Sequence, residues 1–369
     1  MKSKLYFTSL RSSGTDKFFD RFQKILKKID FEKNFSHNDF VGIKTHFGEM
    51  GNVTYVHPAY IRFITEYYKK FSIKLYVTDT NTIYIGKRHN AVDHLHNAYA
   101  NGFSYATLGI PVIIGDGLIG LSYFEHEINK ELFKTVKLAK IVEDSDKMII
   151  VSHVKGHIVG GYGGALKNLG MGFAPRPQKY AMHSTMNPFI KPEPCIGCGK
   201  CLSWCPVSAI SIKDHKAKID DNLCTGCGQC LEVCPEGAIN LNWDAESHRI
   251  QKAWVETAYG FMDVMGKDNV LFINFINNVT PDCDCFGLSD NPIVPNVGVL
   301  VGSDPVAIDL ASVELINQQE SCSNSHLQQP IAAGGDKFRA LYPQINWRTQ
   351  IDYAEKLGIG KTQYTIETV

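Results

Sequence analysis

Runs of near-continuous apolar residues alternate with amphipathic stretches along most of this chain. Phe40–His46 reads as a strand ending in Lys44-Thr45-His46. His57–Phe71 fits a helix with Pro58 in its first turn, where a missing N–H leaves no bond unmade. Ile73–Asp79 is a second strand, residues 88–101 a polar-faced helix, and Lys147–Val154 a third strand around Met148-Ile149-Ile150-Val151. A glycine-rich loop follows, then a short helix near Ala165–Leu169. The alternation returns late, with strands at Asn269–Asn277 and Val297–Val301 and a helix over Asp304–Asn317. Strands that are apolar throughout, not at every second position, are covered on both faces. With helices between them they predict an α/β domain around a mainly parallel sheet.

That pattern breaks between residues 191 and 242. Pro188, Pro192 and Pro194 make an extended approach, and eight of the 11 cysteines lie between Cys195 and Cys234. From about Asn242 a helical pattern runs to Gly266. Residues 243–369 carry too few strands for a second sheet. The expected organisation is one discontinuous α/β domain, residues 1–190 and 243–369, with residues 191–242 inserted as a small unit.

The insert is an internal repeat. Cys195-x2-Cys198-x2-Cys201-x3-Cys205-Pro206 returns as Cys224-x2-Cys227-x2-Cys230-x3-Cys234-Pro235, and the copies continue into Ala209-Ile210 and Ala238-Ile239. Three closely spaced thiolates suit three corners of a 4Fe–4S cubane, and the Cys-Pro of the other copy supplies the fourth, as in two-cluster ferredoxins. On that rule Cys195, Cys198, Cys201 and Cys234 bind one cluster, and Cys224, Cys227, Cys230 and Cys205 bind the other. Gly197, Gly199, Gly226 and Gly228 let the loops wind tightly and turn amides toward sulfur. Structural zinc takes two Cys-x2-Cys pairs in a tetrahedron and leaves the third cysteine and the Cys-Pro of each copy unexplained. Two clusters in so small a ferredoxin-type unit make an electron relay.

Acidic and basic residues balance at 38 each, which argues against a broad nucleic-acid footprint. No run of about 18 apolar residues predicts a membrane span, and the first residues lack the apolar run of a signal peptide. Clustered cysteines in such a chain serve metal or redox chemistry rather than disulfides. A cytoplasmic location is expected.

Ligands of open α/β sheets bind beyond the carboxyl ends of strands. Lys44, His46 and Glu49 follow the first predicted strand, Asp79 the second, and Lys155 and His157 the third. The turn from Gly160 to Asn168 opens a helix. Gly161, Gly163, Gly164, Lys167 and Asn168 there are candidates to hold the phosphate or carboxylate of a cofactor, a flavin included. Tight packing of the loop is the alternative. The turn has neither P-loop nor dinucleotide-fingerprint spacing. Asp282-Cys283-Asp284-Cys285 sets two thiols on one face of an extended chain. With His46 or His157 they can bind an additional metal ion; alone they can form a redox dithiol; the third reading is a pair of reduced, partly buried cysteines. His89, His94 and His96 read as an exposed polar helix face, Tyr67, Tyr68 and Phe71 as helix packing, and Cys322 as a free thiol. Lys213, Lys216 and Lys218 are solvated charge or a dock for an acidic ferredoxin or flavodoxin.

Several of these stretches form a recognisable combination: Gly42-Ile43-Lys44, Val154-Lys155-Gly156-His157, Gly163-Gly164-Ala165-Leu166-Lys167-Asn168-Leu169-Gly170-Met171-Gly172, Cys283-Asp284-Cys285 and Val301-Gly302-Ser303-Asp304-Pro305-Val306-Ala307-Ile308-Asp309. Together they resemble the uncharacterised iron–sulfur centre proteins built on the domain of unknown function 362. The resemblance spans roughly Phe40 to Ile316. It implies an α/β domain carrying an inserted two-cluster ferredoxin segment and a redox role, and it supplies no substrate. The expected function is an oxidoreductase passing electrons through the clusters to a ligand bound or protonated by Lys44, His46, Lys155 and His157. The alternative is a non-enzymatic electron carrier or assembly factor whose α/β part docks a redox partner.

Overall fold

The computed structural model describes residues 2–369 other than 85, 184–187, 225–229, 231–232, 241–242 and 328, and of 243–246 the backbone alone. Cys227, Gly226 and Gly228 therefore lie outside the described residues. The strands, in chain order, are β1 (Ser3–Ser9), β2 (Phe40–Lys44), β3 (Lys74–Asp79), β4 (Val112–Ile114), β5 (Tyr123–Glu127), β6 (Thr135–Ala139), β7 (Lys147–His153) and β8 (Lys155–His157). They continue as β9 (Gly161–Gly163), β10 (Phe189–Ile190), β11 (Ile210–Lys213), β12 (Lys216–Ile219), β13 (Ile239–Asn240), β14 (Val270–Ile276), β15 (Gly298–Gly302) and β16 (Tyr364–Thr368).

Eight of them form one sheet in the order β16-β1-β15-β14-β7-β2-β3-β4. From β14 to β4 every pairing is parallel. β15 runs antiparallel to both β1 and β14, and β16 parallel to β1. The sheet is thus mostly parallel, as the strand pattern predicts. It draws strands from both sides of residues 191–242.

Period-two alternation splits the sheet's side chains between two cores. Met148, Ile150, Phe272 and Leu300 pack on one face with Trp254 and Phe261 of the helix Trp243–Met265 and with the helix Pro305–Asn317. Ile149, Val151, Ile273, Val299 and Val301 pack on the other, against helices Phe18–Ile29 and Pro58–Tyr68. Helix starts follow their caps. Asp304 Oδ1 accepts the amides of Val306 and Ala307 at 2.9 and 3.0 Å, and Pro305 stands at the first turn. Among the described residues, no helix is long and apolar enough to cross a membrane.

The short strands β10 to β13 lie outside that sheet. β10 pairs with β13 and β11 with β12, both antiparallel. Their own small core is made largely of Cys195, Cys201, Cys230, Ile210, Ala217, Ala238 and Ile239.

Candidate functional site

β2 and β7 are neighbours, yet the strands after β2 add outward on one side and β14 adds outward on the other. That reversal opens a crevice at the carboxyl ends, the usual ligand position in such sheets. A cavity of about 780 Å³ lies there. Lys44 ends β2, Asp79 ends β3 and His153 ends β7, and all three line it. So do His46, Lys155, His157, Gly163, Gly164, Lys167, Asn168, Cys283 and Cys285. Glu49 sits behind this wall, buried and paired with Arg88.

One corner of the cavity is a buried ion network. Lys44 Nζ lies 2.9 Å from Asp79 Oδ1 and 2.9 Å from Asn168 Oδ1. Arg88 reaches Asp79 at 3.5 Å and Glu49 at 3.2 Å. Burial lowers the Lys44 ammonium, with Asp79 opposing. Burial alone would raise the Asp79 carboxyl, but Lys44, then His94 and His46, hold it well below its usual range.

The opposite corner holds the thiols. The sequence places Cys283 and Cys285 on one face of an extended chain; instead a turn closed by Phe286 N–H to Cys283 C=O brings the sulfurs to 3.1 Å. Asp284 points away, fully buried, and meets His153 Nδ1 at 2.9 Å and Lys155 Nζ at 3.3 Å. Against its burial, His153 and Lys155 hold that carboxyl far below the carboxylate range. Lys155, though buried, is raised by Asp284 and by the sulfurs of Cys283 and Cys285, so it keeps its charge. Lys167 Nζ donates to Cys283 Sγ at 3.3 Å. The bond from Cys285 above all, and Lys167 and Lys155 against burial, put the Cys283 thiol well below its ordinary value. Its partner Cys285 is raised by that same bond and by burial.

The histidines are fixed by backbone amides. Gly48 N–H donates to His46 Nδ1 at 3.0 Å, so the proton of the neutral ring sits on Nε2, 3.4 Å from Cys285 Sγ. Burial and the charge of Arg88 lower His46 to about 4. Gly160 and Val159 amides donate to His157 Nδ1 at 3.1 and 3.3 Å, which leaves its proton on Nε2 as well. Burial, with Lys167 and Lys155, keeps that ring neutral far below its usual value.

At the glycine-rich turn, the two amides that open the helix already have an acceptor. Asp309, from the helix Pro305–Asn317, already accepts the amides of Ala165 and Leu166 at 2.7 and 3.0 Å. The helix they open, Ala165–Gly170, has only six residues. A Cβ on Gly164 would meet Asp309 Oδ1 at 2.4 Å, and Gly161, at φ 73°, packs on Trp347. Lys167 is turned to Cys283, and Asn168 bridges Lys44 and Ser152. Gly161 and Gly164 are thus closely packed, while Gly163, Gly164, Lys167 and Asn168 also line the cavity. Burial raises the Asp309 carboxyl to about 6, against the pull of Leu166, Asn274 and Ala165. Asp309→Ala strands the buried amides of Ala165 and Leu166 and takes an acceptor from Tyr162 and Asn274, so urea unfolding is expected to report a loss of about 3 kcal/mol.

In the cysteine unit, Cys195, Cys198, Cys201 and Cys234 line one small cavity together. Peptide amides point at its sulfurs: Ala217 N–H to Cys195 at 3.4 Å and Ala238 N–H to Cys234 at 3.2 Å. The matching residue of the other copy repeats the bond, Ala209 N–H to Cys205 at 3.2 Å. Gly197 and Gly199 have φ of 65° and 77°, as tight loops require. Trp204, Val233 and Ile239 of this unit line the large cavity of the α/β domain.

A model of the domain of unknown function DUF362 matches residues 41–314, well over half of the 369-residue chain. The chain belongs to the DUF362 family. No curated protein matches it. Among solved structures, this DUF362 protein is similar to the lactate racemase apoprotein of Thermoanaerobacterium thermosaccharolyticum, at 11% identity and a TM-score of 0.40 over 85% of this chain and 58% of that one. A protein of Thermotoga maritima is 8% identical, with a TM-score of 0.39 over 94% of this chain and 61% of that one. The chain spans less than two thirds of the length of either.

Sequence reasoning missed several parts of the DUF362 site. Arg88 was read only as the start of a polar helix, yet it is fully buried in the ion network. His94 is corrected from an exposed helix face to full burial, 3.7 Å from Asp79. His96 is exposed and His89 partly so. Tyr67 and Tyr68 are buried helix packing, as read. Lys216 is not free charge, since its Nζ donates to Cys195 C=O at 2.6 Å; Lys213 and Lys218 are exposed.

Proposed function

We propose that this DUF362 protein is an iron–sulfur oxidoreductase whose cysteine unit passes electrons to a ligand in the cavity at the strand ends. One observation carries the reading: Trp204 and Val233, chain neighbours of Cys205 and Cys234, line the same cavity as Lys155, His157 and Cys283. A cysteine unit and a strand-end site therefore share one wall.

The donor set fits two 4Fe–4S clusters. Four sulfurs from both copies surround one space, and amides aimed at sulfur favour thiolate over thiol. Bound clusters would supply one-electron transfers. The second cluster's Cys227 lies outside the described residues, and its assignment rests on the repeat.

At the cavity, Lys155 stays charged and attracts an anionic group of the ligand. His157 offers Nε2–H as a hydrogen-bond donor. Burial has weakened the ammonium of two lysines there, Lys44 and Lys179, the latter lowered to about 8, which suits either to give up a proton. Exposed Lys213 and Lys218 suit an acidic electron donor such as a ferredoxin or flavodoxin.

The test is anaerobic purification of the full chain, with iron, sulfide and released small molecules measured together. Wild type is expected to carry about eight iron atoms and to retain a cavity ligand. Lys155→Met is expected to keep the iron and the visible absorption while losing the ligand. A chain that holds zinc, or that holds iron and never a ligand, contradicts the proposal; the latter result favours a carrier or docking factor.

A further inference from the structure

We infer that Cys283 and Cys285 are a redox-active dithiol that exchanges with small-molecule disulfides entering the cavity. Three features of the geometry point there.

The sulfurs lie 3.1 Å apart on one turn, so closing them into a disulfide needs a short side-chain movement. They are unequal partners: Lys167 Nζ faces Cys283 Sγ, and His46 Nε2–H faces Cys285 Sγ. An ammonium beside one sulfur and a thiol beside it are what an attacking and a resolving cysteine require. Finally, Cys283 is almost fully buried and lines the cavity. A space of about 780 Å³ admits a metabolite-sized disulfide and not a folded protein.

The competing metal site fails on the tautomer. A metal on His46 Nε2 needs that nitrogen's lone pair, which forces the proton onto Nδ1. Gly48 N–H already points at Nδ1, and two donors would then face each other.

The exchange balances as follows. The Cys283 thiolate attacks one sulfur of R–S–S–R′, forming a mixed disulfide and releasing R′S⁻. Cys285 loses its proton to that thiolate and attacks Cys283 Sγ. The Cys283–Cys285 disulfide forms, and RS⁻ leaves and takes a proton from water. One dithiol becomes a disulfide while one substrate disulfide becomes two thiols. Restoring the dithiol takes two electrons and two protons. That half rests on the proposed cluster relay, one electron at a time, while the exchange half stands without it.

The experiment uses full-length, reduced, oxygen-free protein and 2-hydroxyethyl disulfide, with alkylation and mass spectrometry of the peptide carrying both cysteines. Wild type is expected to form the internal disulfide. Cys285→Ser should stop at a mixed disulfide on Cys283. In Cys283→Ser the remaining thiol should react at least about tenfold more slowly. Lys167→Met should slow wild-type exchange about tenfold at neutral pH and move its pH profile upward, and Lys167→Arg should restore it. Equal reactivity of the two single variants, or no disulfide in wild type, overturns the inference. So does a metal ion lost equally from both variants. Iron is measured on the same samples. Inert thiols in an iron-replete chain defeat the dithiol alone, and active exchange in a chain without iron defeats the cluster relay alone.

Discussion

On the proposed cluster assignment, Cys234→Ala is expected to empty the cluster assigned to Cys195, Cys198 and Cys201, leaving about four of about eight iron atoms per chain. A ligand set confined to one repeat would use Cys205 there. Yet Cys234 shares the small cavity with Cys195, Cys198 and Cys201, and Cys205 does not line it. Pairs of substitutions make the assignment decisive, because changes within one unit are not additive and changes in separate units are. Cys198→Ala with Cys234→Ala should lose no more iron than either alone. Cys198→Ala with Cys205→Ala should lose nearly all of it. Iron and sulfide assays on oxygen-free protein read both results. The opposite pattern, with Cys198 and Cys205 acting as one unit, would falsify the crossed ligand set and move Cys234 to the other cluster.

Some of this architecture is legible in the sequence, for identifiable reasons. The segments Phe40–Lys44, Lys147–His153 and Val270–Ile276 lie in the sheet interior and are buried almost throughout, so they are largely apolar rather than alternating. β16 escapes the sequence because it is a largely exposed edge strand, and β1, one strand in, because its polar and half-buried positions interrupt the apolar run. Phe18, Phe22, Ile25 and Leu26 do keep helical spacing, and that signal was available. In the site, residues that end strands were legible because strand ends are where open α/β sheets bind. What escaped depends on convergence. Arg88 means nothing until Glu49 arrives from a loop and Asp79 from the end of β3. Asp309 lies in an apolar helix, and only the fold sets it against Gly164. A glycine-rich turn before a helix offers its amides to an anion unless the protein supplies the anion itself, and here it does.

Asp79→Asn is expected to destabilise the fold by about 3–5 kcal/mol at neutral pH, the usual cost of stranding a buried charge. Lys44 and Arg88 both face this carboxylate with almost no exposure to water. Removing its charge leaves two cations in contact with a neutral amide. The pH dependence follows from the directions of the shifts. Asp79 is depressed in the folded state, so its stabilisation is complete above the unfolded value of about 3.9. It is lost as pH falls through the folded value, and the variant should lack that acid loss. Lys44 is already lowered by burial, and without Asp79 it loses the group that opposes the fall. The folded variant should therefore shed the Lys44 proton at a lower pH than wild type. Between that pH and the unfolded lysine value of about 10.4, the folded state binds fewer protons than the unfolded one, so stability climbs with pH. The deficit of Asp79→Asn should accordingly shrink as pH rises toward the unfolded lysine value. Urea unfolding at pH 5, 7 and 9 measures it, and Lys44→Met added to Asp79→Asn should recover part of the loss. A deficit below about 1 kcal/mol, or one that does not change with pH, would mean that water reaches this pair and that the cavity floor is not the dry ion network from which the reactivity of Lys44 is argued.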